Sequence, residues 1–440
     1  MTADGISHGP SVGRRTVALG LAATASGVAG LSPRPAAAAT TRLKLIAWNY
    51  QVETVQGFLR QFEAANPGIT VDFEAIPSAQ YIAKVVLEKN ANTPFDVLYV
   101  FDNALSQWAS WLQPLGGFPG APALEKQMLP LARQSMTYDG KLFGLPYYTS
   151  YFGIIYNDKM AKAAGFAHPP HTYAEWLQQA QQAKAKGLSK APLLWPIKYT
   201  GWGGMWVMNA MVASRGGKLL DAQLNVTPEA LQALAWWAGT YKSRLSSRND
   251  IGLDPNDSAR AFMSGDYLSI LTANFFAGPQ WANDPKNSKV AGAAKLVALP
   301  DKHTTVGFAR MYAMNAGSAH KPEAWRLLDF LGGKNKEGQF VTPADWVEKG
   351  TLTWGYKGVE NIPAVAASLR SWGADPAAVE ASLEDAVHMS KIVPFQAVWY
   401  TEWETYANGV LQDVLGGRTT PENGTKSWSS RAKALAARYK

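Results

Sequence analysis

The spacing of apolar residues in the N-terminal part of the chain alternates between two kinds of element. Residues 43–48 and 96–101 are short, largely apolar runs, and residues 69–76 alternate between apolar and polar positions, so each run predicts a β-strand. Between them, residues 53–65 and 81–89 carry apolar side chains at helical spacing. Strands separated by helices predict a parallel sheet with right-handed crossovers, and therefore an α/β fold.

Further helices are predicted from residues that begin them. Thr172 and Glu175 form a capping box, Thr-Pro-Glu triplets begin at Thr227 and Thr420, and a Lys-Pro-Glu triplet begins at Lys321. The length of 440 residues is enough for two domains. No linker or change in composition separates them, so two domains would share the chain by crossing over more than once.

Composition excludes several classes of protein. Hydrophobic residues make up 47% and charged residues 17%, so the chain can build full cores and is not disordered. It has no Cys, which rules out disulfides, thiolate metal sites and a thiol nucleophile. The formal charge of +8 is scattered without a basic stripe, which argues against nucleic acid as a partner. No motif for a metal, a nucleotide cofactor or catalysis occurs, so we expect none of these.

The first 39 residues have the pattern of an export signal. Arg14 and Arg15 precede an apolar run at 17–31, and the Ala-rich segment 36–39 offers a cleavage site. We expect residues 1–39 to be a signal peptide of the twin-arginine type and the mature protein to be periplasmic. A soluble extension or a retained membrane anchor is the less favoured alternative. Since no Cys is present, a lipid anchor is not expected.

Aromatic and polar side chains occur together where predicted strands end. The chain has as many Trp as Tyr, 17 of each, and flat indole rings suit stacking on the apolar face of a sugar. In an open α/β sheet, ligands bind beyond the carboxyl ends of strands. Two structural alternatives stay open: Asp102 and Asn103 could cap the helix predicted at 104–112, and Trp48 could be a core residue. The candidates after three strands are Trp48, Asn49, Tyr50 and Glu53, then Asp102 and Asn103, then Asn274 and Phe275.

Six stretches of the chain resemble, in the same order, the extracellular solute-binding proteins of ABC importers, in the sugar-binding group called family 1. They cover nearly all of residues 41–440. Examples are FEAANPGITVDF, DVLYVFDNALSQWASWLQPL, YDGKLFGLPYYTSYFGIIYNDKMAKAAGF, ARAFMSGDYLSILTANFF and VGFARMYAMNAGSAHKPEAWRLLDFL.

The resemblance implies a two-lobe periplasmic-binding-protein fold of type II, in which strand crossings form the hinge. The first two crossings would fall near residues 146–154 and 307–314, and a third near residue 340. The implied lobes are 40–149 plus 312–340 for the N-terminal lobe, and 150–311 plus 341–440 for the C-terminal lobe.

The resemblance also adds candidate ligand-binding residues. Arg310 is a polar residue inside an apolar crossing, and it would either bind ligand or pair with a carboxylate. Trp206 stays open between core and cleft. The added residues are Tyr148 and Tyr151 in the first crossing, Trp195 and Trp202 in a Gly-rich segment of the second lobe, Arg310 in the return crossing, and Trp354.

The implied function is capture of a sugar or small oligosaccharide between hinged lobes and delivery to the transmembrane subunits of an ABC permease. We expect a monomer without cofactor and without catalytic activity. A polyol or a glycerol-phosphate ester is the alternative ligand, and for an anion Arg310 would matter most. A polysaccharide hydrolase or lyase is the remote alternative, with Glu53, Asp102 and Glu402 as conceivable carboxylates.

Overall fold

The computed structural model describes residues 40–198 and 202–439, so the predicted signal peptide lies outside the described residues. Its strands mostly follow the predicted pattern, and the three predicted near the N-terminal end are confirmed. The strands are β1 Thr41–Trp48, β2 Ile69–Ile76, β3 Val97–Phe101, β4 Thr137–Tyr138, β5 Lys141–Leu142, β6 Gly144–Asn157, β7 Leu193–Leu194, β8 Ser269–Ala273, β9 Ala294–Val297, β10 Val306–Met314 and β11 Val387–His388.

Helices connect these strands and form the C-terminal part of the chain. None among the described residues has the length and apolar character needed to cross a membrane. The helices are α1 Val52–Ala65, α2 Ser78–Asn90, α3 Leu105–Trp108, α4 Ala121–Gln127, α5 Pro130–Met136, α6 Asp158–Ala164, α7 Tyr173–Ala185, α8 Gly204–Ser214, α9 Pro228–Lys242, α10 Pro255–Met263, α11 Lys321–Gly332, α12 Val341–Gly350, α13 Pro363–Ser371, α14 Pro376–Asp385, α15 Tyr400–Leu415 and α16 Pro421–Arg438.

The local signals in the sequence account for several of these helices. In α1 the buried residues are Val55, Phe58, Leu59 and Phe62, which is the apolar stripe that predicted the helix. Thr172 accepts a hydrogen bond from the backbone N–H of Glu175 at 3.1 Å, as a capping box requires.

One continuous mixed sheet organises the chain. The strand order is β2-β1-β3-β10-β6-β8-β7, with β11 beside β10 and β9 beside β6. Strand β1 is parallel to β2 and β3, which confirms the predicted α/β arrangement. Strand β10 runs antiparallel to both β3 and β6.

Strand β6 joins two groups of strands. Its residues 144–151 pair with β10, and residues 152–156 pair with β8. All fourteen residues of β6 are buried, as expected for a strand covered on both faces. A Cβ added at Gly144 would lie 2.7 Å from the sulfur of Met311, so glycine lets β10 approach β6 here.

The region after α11 makes contacts that bear on the predicted lobes. Trp346 of α12 packs edge-on against Phe58 and Tyr147, with ring centres 5.3 and 4.8 Å apart. Both partners belong to the predicted N-terminal lobe, whereas α12 was assigned to the other. Thr353 forms a bridge with Thr149 of β6, which favours a third crossing there rather than near residue 340. From Thr40 onward the chain packs as one unit, so the lobe boundaries stay a prediction.

Candidate binding groove

The carboxyl ends of β3 and β8 converge on the middle of β6. Phe101, the last residue of β3, is level with Arg310 of β10, which in turn is level with Tyr148 of β6. Ala273, the last residue of β8, is level with Phe152 of β6. The two strand ends therefore arrive within four residues of each other along β6, from 148 to 152, and this point is a place where ligands bind in open sheets.

Each of these strand ends continues into a short 3-10 turn that begins with a predicted site residue. Asp102–Ala104 follows β3, and Asn274–Ala277 follows β8. The Asp102 carboxylate accepts from the backbone N–H of Asn103 inside this turn at 2.9 Å, but it also bonds to other parts of the chain. The sequence alternative of a pure capping role is therefore not what the structure shows for Asp102, whose carboxylate has other partners.

Trp48 lies at the end of β1 within a group of stacked rings. Its ring centre is 4.8 Å from that of Tyr50 and 6.2 Å from that of Tyr148, with interplanar angles of 22° and 19°. Its indole N–H donates to the hydroxyl of Tyr147 at 3.1 Å. Trp48 is half-buried, so one part of the ring system remains accessible.

A buried ion pair lies beside these rings. Arg310 Nη1 donates to Asp102 Oδ1 at 2.6 Å, and the two side chains are 11% and 0% exposed. Burial by itself raises the pKa of the Asp102 carboxyl, but Arg310 and His388 outweigh it and hold that pKa below its ordinary value. The carboxylate is therefore ionised and neutralises the guanidinium. Of the two roles open for Arg310, pairing with a carboxylate is the one that the structure contains.

Ring contacts continue from Trp48 past the ion pair to helix α8. Tyr148 meets Phe308 edge-on at 6.2 Å, and Phe308 meets Trp206 edge-on at 5.4 Å. The guanidinium carbon of Arg310 lies 4.5 Å from the ring centre of Phe308. We call Trp48, Tyr148, Phe308 and Trp206 the aromatic path. It runs from the end of β1 to the start of α8, across the convergence point on β6.

Polar atoms around the aromatic path lack partners. Among the described residues, Asn103 Oδ1, Trp206 Nε1 and Arg310 Nε are buried and have no hydrogen-bond partner. A buried polar atom without a hydrogen bond lowers the stability of a protein unless a ligand or a water molecule supplies the missing bond. Others occur elsewhere, for example Trp237 Nε1, so a single one carries little weight. Several around one ion pair offer a polar ligand both donors and acceptors.

The side chain of Asn274 is held by hydrogen bonds within the protein. Its Oδ1 accepts from the hydroxyl of Ser150 at 2.7 Å, and its Nδ2 donates to the hydroxyl of Thr353 at 3.3 Å. Asn274 is fully buried. The amide therefore ties β6 to the segment at Thr353, and a ligand contact for Asn274 stays a prediction.

Two predicted site residues lie away from the aromatic path. Trp195 is fully buried, its ring is tilted against Trp176 and Trp237 with centres 5.4 and 5.3 Å apart, and its N–H donates to Ser246 at 2.7 Å. It is a core residue, because it follows β7 and packs between helices α7 and α9. The Tyr151 side chain faces α14 rather than the aromatic path. Burial raises the pKa of its hydroxyl, and a hydrogen bond with Ser382 of α14 offsets only part of this rise.

The other predicted residues are not part of the aromatic path. Phe275 packs against Phe276 at 4.5 Å, and Trp202 meets Phe276 at 6.1 Å. Asn49 and Glu53 are exposed beside Trp48. Trp354 is buried near the hinge, where its carbonyl accepts from Thr149, and it has no ring contact with the aromatic path among the described residues.

A side-chain bridge links the turn after β1, the turn after β8 and the end of α12. Gln51 Nε2, beside Tyr50, donates to Gln280 Oε1 at 3.2 Å, and Gln280 Nε2 donates to the carbonyl of Lys349 at 2.8 Å. Gln280 follows the turn that begins at Asn274 and is exposed. We call this set the glutamine bridge. It connects the turn after β8 to the turn after β1.

Sequence reasoning did not select Phe308 and His388, and it did not commit Trp206 to the site. Phe308 looks like any buried strand residue, and His388 is one of several scattered histidines. For Trp206 a signal existed, since it follows the glycines that open α8. Among the described residues, no group of His, Cys, Asp or Glu has the arrangement of a metal site.

Comparison with known proteins decides the family. A model of the bacterial extracellular solute-binding protein family matches residues 48–336. The chain belongs to this family. Its members are non-enzymatic binding proteins that serve ABC transporters, which confirms the resemblance and excludes the hydrolase alternative. The family also accounts for an extracellular or periplasmic location.

Individual relatives are distant but cover most of the chain. A binding protein of Brucella abortus is 25% identical over 86% of this chain and 88% of its own length. The mannitol-binding protein of Pseudomonas aeruginosa is 23% identical over 72% of this chain and 71% of its own. The structure of maltose-bound MalE3 of T. maritima matches with a TM-score of 0.74 at 19% identity, over 90% of this chain and all of the other. The two-lobe fold class is thereby confirmed.

Proposed function

We propose that this protein captures an uncharged sugar or small oligosaccharide in the groove along the aromatic path and delivers it to the transmembrane subunits of an ABC permease. The ligand bridges the turns after β1 and β3 on one side and α8 on the other. Binding to both sides favours the closed arrangement, because only that arrangement makes all the contacts.

The aromatic path is the observation that carries this proposal. Rings that pass from Trp48 to Trp206 provide flat apolar faces for sugar C–H groups. The unpartnered atoms of Asn103, Trp206 and Arg310 provide hydrogen bonds for hydroxyls. A relative that binds mannitol and a structural neighbour that holds maltose are consistent with polyhydroxylated ligands.

A polyol is the second candidate, and the mannitol-binding relative favours it. A linear polyol has no ring face to stack, so it would depend more on hydrogen bonds than on the aromatic path. A glycerol-phosphate ester has less support, since the guanidinium of Arg310 is already neutralised by Asp102.

Several predictions about the whole protein are part of this proposal. The twin-arginine type of the signal at 1–39, the boundaries of the lobes and the monomeric state rest on the sequence alone. Hinge closure would take place where β6, β10 and the segment at Thr353 pass between the lobes. Asn274 links β6 to the segment at Thr353.

Calorimetric titration with maltose, maltotriose, mannitol and ribitol tests the proposal. We expect one compound to bind with one-to-one stoichiometry and to be recovered unchanged by mass spectrometry. Tighter binding of a sugar would support the first candidate, and tighter binding of a polyol the second. Binding of polyamines or peptides instead would contradict both.

A further inference from the structure

We propose that Asp102 sets the charge selectivity of the groove: by occupying Arg310, it makes the site select uncharged polyhydroxylated compounds over their carboxylated counterparts. This inference rests on the proposed function and adds the class of ligand that the site rejects. It assigns Asp102 the role of a positioning residue that acts through Arg310.

The geometry holds Arg310 in this role. Its Nη1 donates both to Asp102 Oδ1 at 2.6 Å and to the carbonyl of Ala309 at 3.1 Å. Its guanidinium carbon lies 4.9 Å from the ring centre of Phe101 and 4.5 Å from that of Phe308. Both hydrogen bonds use Nη1, so Nε is left for a ligand hydroxyl, but an anion could gain the full charge of the guanidinium only by displacing Asp102.

The carboxylate is equally fixed. Asp102 Oδ1 also accepts from the backbone N–H of Asn103 at 2.9 Å, and Oδ2 accepts from that of Ala309 at 3.2 Å. His388 Nε2 lies 3.6 Å from Oδ2. The Nδ1 atom of His388 accepts from the backbone N–H of Ser390, so a neutral ring carries its proton on Nε2, facing Asp102.

The charge close to the ligand, rather than the charge of the whole chain, therefore determines whether the site selects neutral or anionic compounds. The formal charge of +8 attracts anions at long range, but salt screens this attraction beyond about 10 Å. Close to the ligand, the pair Asp102–Arg310 sums to zero and is 0% and 11% exposed. A carboxylated ligand would lose its hydration there without gaining a free cation.

The test compares neutral compounds with their one-carbon-oxidised acids by calorimetry: mannitol with mannonate, ribitol with ribonate, and maltose with maltobionate. We expect wild type to bind the neutral member of its best pair at least about tenfold more tightly. Asp102→Asn frees the charge of Arg310, and the ratio of affinities should shift toward the acid by about tenfold or more. An unchanged ratio in Asp102→Asn overturns the proposal.

Two controls keep the outcome clear. Asp102→Asn combined with Arg310→Gln removes both charges, and the ratio should return to within about threefold of wild type. Asp413→Asn makes the same chemical change in an exposed pair, where Arg418 Nη2 lies 2.6 Å from Asp413 Oδ1, and should leave the ratio unchanged.

The remaining outcomes are equally decisive. If Asp102→Asn does not fold, the single variant Arg310→Gln serves as the test. The carboxylate of Asp102 is then without its cation and should disfavour the acid further, so a shift of the affinity ratio toward the acid overturns the proposal. If wild type prefers the acid, charge selectivity is wrong while the binding function stands. If no member of any pair binds, the proposed function itself fails.

Discussion

The aromatic path and a cluster of four tryptophans in and beside helices α7 and α9 both consist of aromatic rings but differ in their surroundings. We call Trp176, Trp195, Trp236 and Trp237 the core tryptophans. Trp176 and Trp195 donate their N–H groups to Ser269 and Ser246, and both rings are fully buried. The aromatic path instead lies where strands end, beside a buried ion pair and a half-buried Trp48.

This difference shows what aromatic residues can and cannot indicate. A high tryptophan content is compatible with both surroundings, and unpartnered N–H groups occur in both, at Trp206 and at Trp237. What distinguishes the aromatic path is its position at the converging ends of β3 and β8 together with the pair Asp102–Arg310. Substitutions in the two groups should therefore affect different properties.

The largest effect is expected from Trp195→Ala. Removing a fully buried indole leaves a cavity and a buried hydroxyl of Ser246 without its donor, which should lower the free energy of unfolding by about 3–5 kcal/mol. Chemical denaturation measures this. Ligand affinity under native conditions should stay within about twofold of wild type. A larger loss of affinity would mean that Trp195 belongs to the binding site after all.

The matching change in the aromatic path is Trp48→Ala. Because Trp48 is half-buried and stacks with Tyr50 and Tyr148, its loss should weaken ligand binding by about 10- to 100-fold, or about 1.4–2.7 kcal/mol. Calorimetry gives the affinity, and denaturation should show a smaller loss of stability than Trp195→Ala. Equal losses of stability with unchanged affinity would remove the distinction between the two groups.

Asn274→Ala tests the hinge, which belongs to neither group. The change leaves the hydroxyls of Ser150 and Thr353 without their partner, and should lower the free energy of unfolding by about 1–3 kcal/mol. Thr353→Val combined with Asn274→Ala should cost less than the sum of the single changes, since the two share a hydrogen bond. Strict additivity in denaturation experiments would speak against a common hinge network.

Acid should distinguish the groups, because the buried carboxylate of Asp102 lies beside the aromatic path. The pKa of Asp102 is lower in the folded protein than its ordinary value, so its ionisation stabilises the fold above that ordinary value, near pH 4. This contribution is lost as pH falls through the folded pKa. Each pKa unit of depression corresponds to about 1.4 kcal/mol at neutral pH. Chemical denaturation at a series of pH values from about 6 to about 3 should show that the free energy of unfolding falls more steeply for wild type than for Asp102→Asn.

The smallest effect is expected from the glutamine bridge. Gln280→Ala removes two hydrogen bonds that link the turn after β8 to Gln51 and to Lys349. If these bonds belong to the closed arrangement, ligand affinity should fall by about two- to tenfold. Gln182→Ala on the exposed face of α7 serves as the control. An equal effect of both changes would mean that the bridge has no part in closure.

The sequence predicted the scaffold better than the site. Helix α1 and the strands near the N-terminus follow from periodicity, since each buries one stripe or both faces. The turns at Asp102 and Asn274 follow from the rule that ligands meet strand ends. The pairing of Asp102 with Arg310 could not be predicted, because the two are 208 positions apart and meet only through the antiparallel register of β3 and β10.

Trp195 and Trp206 show the limit most clearly. Both belong to one Gly- and Trp-rich segment, and spacing alone does not tell which ring faces inward. The difference arises because Trp195 follows β7 into the helices around Trp176, whereas Trp206 is placed by α8 against Phe308. Such placement depends on tertiary packing, which outweighs any local pattern.

The most direct test of the central claim is a paired calorimetric titration of the tightest-binding sugar or polyol into wild type, Trp48→Ala and Trp195→Phe. We expect one-to-one binding to wild type, affinity reduced about tenfold or more in Trp48→Ala, and affinity within about twofold of wild type in Trp195→Phe. Binding that survives Trp48→Ala but is lost in Trp195→Phe would contradict a groove along the aromatic path.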